Sequence, residues 1–459
     1  MITKHASIVG RLARNVLRPC YFGFVEGHHY LSESQHERVK TSVAAKNATD
    51  IVHAYEDSFA GLVGNGKATS FASARMAFYT FLKQMGIGTG HEVILPAFTC
   101  SVMVNAVYRA GAQPVFVDID ESTLGSDAAE IERKISARTR LVVAQHSFGI
   151  PCDIAPIAEL ATKKGLILVE DCAITFDSSY RGVKVGNWGD AAIFSTDHSK
   201  PINTLIGGML YTKDRSLHEK IRATSSTIPD LDDGHQRRLY EQFLYESEYY
   251  VPERYGRALA LNYVRRIRQK LRGKPAPPVF LDSDVRRDVV LNSGYPYPAR
   301  MPASLAQVGL FELERWSKER SRRKKLLERL LGLVREMSFD QYLPSAYFSK
   351  ERELVPFRFV FTHPDNDQLL RKMSKHVDVS WTWFRSPIVY CPDGPESMGY
   401  VSGSCRKAEQ ITKSILNWPT AFPGKWEDKN LEILREMLRD SLNRAHRQLE
   451  VKKLFNHQD

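Results

Sequence analysis

Short apolar runs alternate with amphipathic helical patterns between residues 68 and about 212. Each run is continuously apolar and does not alternate with polar positions, which is typical of strands covered on both faces. The runs lie at residues 93–95, 115–117, 141–144, 166–169, 191–194 and 209–211. One helical pattern lies before the first run, at 74–85, and three lie between later runs, at 101–110, 127–136 and 154–164. This repetition predicts an α/β domain with a mostly parallel sheet flanked by helices.

The alternation stops at residue 213. Residues 213–295 are polar, rich in Tyr, Arg and Asp, and contain the proline-rich stretch 275–278. We interpret them as a basic helical insertion with a linker. Further elements are predicted in the order helix (about 302–334), strand (357–361), helix (365–375), strand (377–384) and terminal amphipathic helix (426–449).

A chain of 459 residues is too long for one small core, so we expect two domains and an additional arm. The N-terminal helical arm is predicted at 1–50. The large α/β domain, which includes the insertion, is predicted at 51–295. A smaller α+β C-terminal domain is predicted at 296–459.

The chain has 64 basic residues (Lys and Arg) and 53 acidic residues (Asp and Glu), which gives a net charge of +11. Much of the excess lies in the stretches 265–272 and 318–325. A basic balance favours anionic partners, such as a phosphorylated substrate or an acidic membrane surface, but it is also found on ordinary solvated helix faces. The chain lacks the interleaved aromatic residues of an RNA-binding motif, so nucleic acid is not expected as a partner.

The cysteines and the apolar runs bear on the compartment. None of the runs approaches the roughly 18–20 residues of a membrane span. The six cysteines are scattered without a CxxC pair, which is typical of a reducing compartment. Residues 1–10 lack a secretory pattern. We therefore expect a cytoplasmic protein.

Two residues suggest the chemistry. Asp171 ends a predicted buried strand, and Lys200 follows in a polar loop just before Gly207-Gly208. A lysine amine can hold an aldehyde cofactor as a Schiff base, and a carboxylate can keep a pyridine nitrogen protonated. Pyridoxal phosphate (PLP) needs both groups. A solvated loop lysine and a structural aspartate are the ordinary alternatives.

A phosphate could be held at the same edge of the sheet. Ser195 lies one residue past a predicted strand, and residues 69–75 form a turn of small residues that leads into a helix. The free N–H groups of a helix start can bind phosphate, although a plain helix cap would look the same. Ligands of parallel sheets bind beyond the carboxyl ends of the strands, where these residues fall.

Other chemistries lack their motifs. There is no HxxxH pair or Cys/His cluster, so no metal site is expected. The glycine-rich loops GxGxxG and GxxxxGK[ST] and the hydrolase elbow GxSxG are absent as well.

Long stretches of the chain resemble the large domain of fold-type I PLP enzymes, and specifically the sugar aminotransferases of the DegT/DnrJ/StrS family. The resemblance rests on HEVILPAFTCSVMVNAVYRAGAQPVFVDID, RLVVAQHSFGIPCDIAPIAELATKKGLILVEDCA, YRGVKVGNWGDAAIFSTDHSK and GGMLYTKD. YPARMPASLAQVGLFELERW resembles the segment that opens the family's small domain, and AEQITKSILNWPTAFP resembles its closing signature.

The resemblance implies a set of site residues. Lys200 would bind the cofactor covalently, and Asp171 would pair with its pyridinium nitrogen. Ser195, with the backbone of Ala72 and Ser73, would hold the cofactor's phosphate.

Some positions match the family less well. His146 falls where the family has a strand-end histidine near the site. Cys100 stands where the family usually has an aromatic residue stacked on the cofactor ring, and Ile174 where it commonly has Gln or His. Phe71 replaces a usual glycine, and Pro298 stands near the place of an Asn that reaches the partner subunit's phosphate.

The implied activity is transamination from an amino acid, commonly glutamate, to a keto group of a nucleotide-linked sugar, in polysaccharide or related amino-sugar biosynthesis. The resemblance also implies a homodimer. Two alternatives stay open. One is a PLP enzyme of another type, such as a dehydratase or a non-sugar aminotransferase. The other is a non-catalytic binding protein whose basic insertion contacts an anionic surface.

Overall fold

The computed structural model describes residues 20–43, 48–271, 279–281 and 294–439. The first part of the predicted arm, the proline-rich stretch 275–278 and the end of the predicted terminal helix lie outside the described residues. Within them, no helix is both long and apolar enough to cross a membrane.

The helices are α1 (Glu33–Ser42), α2 (Ala48–Val63), α3 (Ala74–Gln84), α4 (Ser101–Ala110), α5 (Ala128–Lys134), α6 (Ile154–Lys164), α7 (Arg215–Thr227), α8 (Asp233–Tyr249), α9 (Tyr255–Leu271), α10 (Ala303–Glu336), α11 (Asn366–Met373) and α12 (Arg406–Ser414). Residues 427–439 are also helical. The strands are β1 (Lys67–Phe71), β2 (Glu92–Pro96), β3 (Thr99–Cys100), β4 (Gln113–Val117), β5 (Ile119–Asp120), β6 (Gly125–Ser126), β7 (Thr139–Gln145), β8 (Ile167–Asp171), β9 (Ser179–Tyr180), β10 (Val183–Lys184), β11 (Ala191–Ser195), β12 (Gly208–Thr212), β13 (Arg352–Glu353), β14 (Phe359–Thr362), β15 (Ile388–Val389) and β16 (Ile415–Trp418).

A seven-stranded sheet with the order β1-β12-β11-β8-β7-β2-β4 forms the centre of the fold. β11, β8, β7, β2 and β4 pair in parallel, whereas β12 is antiparallel to both of its neighbours. All six apolar runs of the sequence are strands of this sheet, and the four helical patterns are helices. The predicted mostly parallel α/β architecture is confirmed.

Strand β1 was not predicted as a strand. Its sequence, KATSF, is too polar to form an apolar run, yet all of it except Lys67 is buried. It pairs antiparallel with β12 from Lys67 opposite Thr212 to Phe71 opposite Gly208. The predicted turn at 69–75 is therefore wrong for residues 69–71, and only Ala72 and Ser73 separate the strand from helix α3.

The C-terminal part contains a two-stranded antiparallel sheet of β14 and β16. The strand predicted at 357–361 and the helix at 365–375 are confirmed with shifted ends, but the strand predicted at 377–384 is wrong. Val377 makes one isolated bridge to Phe22, and Val379–Trp381 is a 3₁₀ helix. No further strand lies beside the segment in the described part of the chain, so its apolar side chains pack without a ladder.

Three contacts join distant parts of the chain. Helix α10, 34 residues long, buries Trp316, whose indole N–H donates to Asp177 Oδ2 at 2.8 Å. Strand β15 pairs in parallel with β3, so residues 388–389 lie beside residues 99–100 of the large sheet region. The segment before α1 is largely buried from Tyr21 to Gly27, and the Phe22 N–H donates to the His376 carbonyl at 2.8 Å.

Candidate active site

A cavity of about 820 Å³ opens at the carboxyl ends of the parallel strands. Ser73, Cys100, Asp171, Ser195 and Lys200 all line it, although the sequence between the first and last of them spans most of the large domain. The strand-end rule explains this convergence, because β8 and β11 are adjacent and end at the same edge.

Lys200 lies in a tightly turned loop between β11 and β12. Its backbone N–H donates to Asp197 O at 2.9 Å, and Thr204 Oγ1 donates to Thr196 O at 2.8 Å across the base of the loop. Gly207 has φ +150°, and a side chain there would overlap the Thr196 hydroxyl. The local sequence therefore fixes the lysine in place.

The Lys200 amine has an apolar environment. Nζ lies 4.3 Å from the centre of the Trp383 ring and 5.8 Å from that of Phe357. Burial lowers the pKa of the amine to about 8, despite the opposing pull of Asp197. A fraction of the amine is therefore neutral near physiological pH, as a nucleophile or base requires.

Asp171 presents one free carboxylate oxygen. Its Oδ1 accepts the Ala173 N–H at 2.9 Å, whereas Oδ2 has no hydrogen bond among the described residues. The side chain is buried, and burial raises the pKa of its carboxyl, while Ala173 and Lys200 act in the opposite direction. A cationic ring N–H would stabilise the ionised form.

The start of helix α3 offers donors to an anion. Ser73 is the N-cap residue, its side chain makes no capping bond, and its buried Oγ has no hydrogen-bond partner in the described part of the chain. Gly208 permits this arrangement, because a Cβ at that position would overlap the backbone nitrogen of Ala74. Ser195 Oγ accepts from the Asp197 N–H at 3.5 Å and keeps its own proton to donate.

The prediction for Ala72 needs correction. Its N–H donates to the Ala299 carbonyl at 3.0 Å, and the residue does not line the cavity. The Ala72 N–H is therefore not available to a phosphate, and the Ala74 N–H at the helix start is the better-placed backbone donor. The cause is strand β1, which the sequence does not predict. Ala72 directly follows this strand, and its N–H continues the backbone hydrogen bonding by pairing with Ala299.

His146 lies close to the site but does not line the cavity. Its side chain is fully buried, with Nε2 3.1 Å from Glu170 Oε2, while Nδ1 accepts the Cys152 N–H at 3.1 Å. Glu170 also accepts three backbone N–H groups from residues 186–189. Both ring nitrogens are thus engaged in anchoring strand ends. His146, Glu170 and Cys172 lie within metal-binding reach of one another, but this anchoring accounts for the first two.

The sequence did not reveal the aromatic contribution of the C-terminal part. Trp383 lines the cavity, its N–H donates to Asn417 Oδ1 at 2.8 Å, and its indole N–H donates to Tyr390 Oη at 3.3 Å. Cys100, in the place of the family's stacking aromatic, lies on β3 beside β15, which leads into Tyr390. The dense aromatic run at 381–384 is the available signal, but its apolar pattern predicts a strand.

The insertion also lines the cavity. Gln242 and Tyr250 come from α8 and the residue after it, Asn262 and Arg265 from α9, and Phe280 from the segment that follows. None of these residues belongs to a recognisable motif, so the contribution of the insertion to the site was not predictable from the sequence.

Comparisons with known proteins agree with the fold and with the resemblance. Residues 32–242 match the model of the DegT/DnrJ/EryC1/StrS aminotransferase family. GDP-perosamine synthase of Escherichia coli O157:H7 is 38% identical over 169 residues, which are 37% of this chain and 46% of that protein. The spore coat polysaccharide biosynthesis protein SpsC of Bacillus subtilis is 40% identical over 174 residues, or 38% and 45% of the two chains. The matched region thus spans less than half the length of these relatives.

Solved structures show the same fold over most of the chain. The aminotransferase from Psychrobacter cryohalolentis has a TM-score of 0.66 at 19% identity and covers 89% of this chain and 98% of its own. The sugar aminotransferase Spr1654 from Streptococcus pneumoniae, in its PLP form, has a TM-score of 0.64 at 18% identity, with 92% and 99% covered. These likenesses confirm the fold-type I architecture.

Proposed function

We propose, since residues 32–242 belong to the DegT/DnrJ/EryC1/StrS aminotransferase family, that the chain is a PLP-dependent aminotransferase. It would move an amino group from an amino acid, with glutamate as the expected donor, to a keto group of a nucleotide-linked sugar for polysaccharide or related amino-sugar biosynthesis. The observation that carries the proposal is the convergence of Lys200, Asp171 and the start of helix α3 in one cavity. The names of the relatives, a GDP-perosamine synthase and a spore coat polysaccharide protein, support the sugar substrate.

The residues present fit the cofactor. The unpartnered Ser73 hydroxyl and the α3 N-terminus suit its phosphate, and the free Oδ2 of Asp171 suits a protonated ring nitrogen. PLP, when bound, supplies an electron sink that allows an amino group to leave one carbon and enter another.

Lys200 would have two tasks. Its amine would attach the cofactor and, once released by the incoming substrate in each half of the reaction, it would carry a proton between the substrate carbon and the cofactor. The lowered pKa of about 8 suits both tasks, because the amine must lose its proton and regain it near neutral pH. The rings of Trp383 and Phe357 lie beside it and offer an apolar surface.

Ile174 is the observation that favours a second candidate. This residue lines the cavity at the position where the family commonly has a hydrogen-bonding side chain. An apolar side chain there leaves a cofactor oxygen or substrate group without a partner, which suits a PLP enzyme of another reaction type.

The first experiment is the visible absorption spectrum of the purified protein with PLP, before and after addition of glutamate. We expect a band that is absent from Lys200→Ala, present in the control Lys164→Ala on the exposed end of helix α6, and lost when glutamate is added. A Lys200-dependent band that glutamate leaves unchanged would favour another donor or another PLP reaction. Absence of any band would contradict both enzyme proposals.

A homodimer in the cytoplasm is also proposed. All six cysteines are free thiols, which supports a reducing compartment, and a symmetric dimer is the commonest assembly of a soluble enzyme. Light scattering of the purified protein should give twice the mass of one chain. A monomer mass at micromolar concentration would contradict the dimer.

The outer face of helix α9 supports a peripheral membrane contact. Leu261, Val264, Ile267 and Leu271 are exposed along this face, and Arg268 is exposed among them. Apolar side chains beside a cation fit an anionic lipid surface. Vesicles containing phosphatidylserine should sediment the protein, vesicles of phosphatidylcholine should not, and the double variant Val264→Glu/Ile267→Glu should lose the binding. A variant that instead halves the mass in light scattering would identify this face as a subunit contact.

A further inference from the structure

The cavity has two chemically different walls. The inner wall carries Lys200, Asp171 and the α3 N-terminus. The outer wall is built by the insertion, from Gln242, Tyr250, Asn262 and Arg265. A volume of about 820 Å³ lies in the upper part of the range for small-molecule sites, so the cavity has room for a ligand beyond the groups that contact Lys200.

Arg265 is the only arginine or lysine that the insertion contributes to this wall among the described residues. Its guanidinium lies 5.0 Å from the centre of the Tyr245 ring on helix α8. The Tyr245 hydroxyl donates to the Ala258 carbonyl at 2.9 Å, which ties the ring to helix α9. The arginine is therefore positioned by stacking, and within the described ranges no carboxylate forms an ion pair with it.

The other charges of the cavity are already engaged or lie at its inner end. Arg75 also lines the cavity, but its guanidinium donates to the Leu281 carbonyl. The carboxylates in the lining, Asp171 and Asp197, belong to the inner wall and to the loop of Lys200. An anion at the outer wall would thus meet the fork of Arg265 without an opposing carboxylate from the insertion.

Aromatic contacts join the loop of Lys200 to the insertion. The His198 ring centre lies 4.3 Å from that of Phe280 and 5.2 Å from that of Trp381, and all three residues line the cavity. Such rings offer apolar faces to a sugar or a base, whereas the fork of an arginine matches phosphate oxygens.

We propose that the insertion forms a phosphate-binding subsite, in which Arg265 takes the phosphate groups of the acceptor's nucleotide while the sugar extends toward Lys200. The subsite rests on the proposed function for the identity of the acceptor. It assigns to the insertion the selection of nucleotide-linked sugars over free sugars.

The test is calorimetric binding of unreactive nucleotide sugars, GDP-mannose and UDP-N-acetylglucosamine, to the PLP-loaded protein. At least one of them should bind, with an affinity that falls as salt is raised. Arg265→Gln should weaken this binding at least about tenfold, and Arg265→Lys should restore part of it, because a point charge replaces the fork. The matched control is Arg257→Gln, an exposed arginine of the same helix that does not line the cavity and should bind as the unaltered protein does.

Glutamate-dependent loss of the visible band is measured in parallel on the unaltered protein and on Arg257→Gln, and it should be the same in both. If the unaltered protein shows no such loss, the proposed transamination fails, while the calorimetry still decides the subsite. Equal binding by Arg265→Gln and Arg257→Gln would overturn the subsite. Absence of binding by the unaltered protein to both nucleotide sugars would overturn it as well.

Discussion

Burial of the Lys200 side chain sets the charge that the site carries before any cofactor arrives. The pKa of its amine is lowered from 10.5 to about 8. Since the folded state binds this proton more weakly than the unfolded state, the charged amine costs stability at every pH below about 8. The cost disappears as the pH rises toward 10.5.

We therefore expect Lys200→Met to stabilise the cofactor-free protein at pH 7. The gain in the free energy of unfolding should be on the order of 2 kcal/mol. This is less than the free energy equivalent to the whole pKa shift, because the side chain is only half buried and solvent screens its charge. Urea denaturation at pH 7 and pH 10 measures it, and the gain should shrink at pH 10. Lys164→Met, on an exposed side chain, should change stability little at either pH. A gain that is independent of pH would contradict the role of the charge.

Individual residues of the site were predictable where they lie at the end of a predicted strand or in the loop that follows it. Asp171 and Ser195 lie at the ends of predicted buried strands, and Lys200 lies in the loop after the second of them. The rule that ligands bind beyond the carboxyl ends of parallel strands therefore places all three at one site. Ala72 was placed wrongly, because the fate of its N–H depends on Ala299, more than two hundred residues away. Long-range hydrogen bonds of this kind leave no trace in local sequence.

At the level of elements, the packing of helix α3 on strand β12 determines whether the phosphate donors exist. Gly208→Ala would place a methyl group on the backbone of Ala74. We expect a loss of roughly 2–4 kcal/mol in the free energy of unfolding and a clearly weaker affinity for PLP, because either the strand or the helix start must move.

Gly61→Ala is the matched control for Gly208→Ala. Gly61 lies within helix α2, and nothing lies within 4 Å of an added Cβ. This variant should be more stable by about 0.5–1 kcal/mol, because alanine is the better helix former. Thermal denaturation and PLP titration measure both variants, and unchanged PLP affinity in Gly208→Ala would refute the argument.

Elements were predictable where both faces are buried or where a helix is long and periodic, as in the central strands and α10. Strand β1 was missed because its residues are mostly polar and form no apolar run, although pairing and packing in the folded protein bury them. The strand expected at 377–384 was wrong for the opposite reason. Its aromatic residues Trp381, Trp383 and Phe384 line the cavity and do not form a strand ladder.

At the scale of the whole molecule, the segment from Tyr21 to His28 ties three regions together. The backbone of Phe22 exchanges hydrogen bonds with His376 and Asp378 in the C-terminal part. The Tyr21 N–H donates to the Pro252 carbonyl in the insertion, and the His28 ring bonds to the Asn203 carbonyl in the loop of Lys200. The sequence could not reveal this role, since the segment has no periodic pattern.

Phe22→Ala should therefore destabilise the protein by about 3–5 kcal/mol, because the ring is fully buried against Phe422. Phe348→Ala, with 38% of the original side chain exposed, should cost much less. Denaturant unfolding measures both variants. A loss in Phe22→Ala no larger than in Phe348→Ala would show that the segment is not a structural tie.

The pairing of β15 with β3 has a consequence for the order of events during synthesis. Residues 99–100 leave the ribosome long before residues 388–389, because the chain is synthesised from the N-terminus at roughly 5–20 residues per second. Until the C-terminal part emerges, Lys200 lacks the ring of Trp383 that desolvates it. The wall of the cavity beside Lys200 is therefore completed only when translation is nearly finished, although Asp171 and Ser195 are synthesised much earlier.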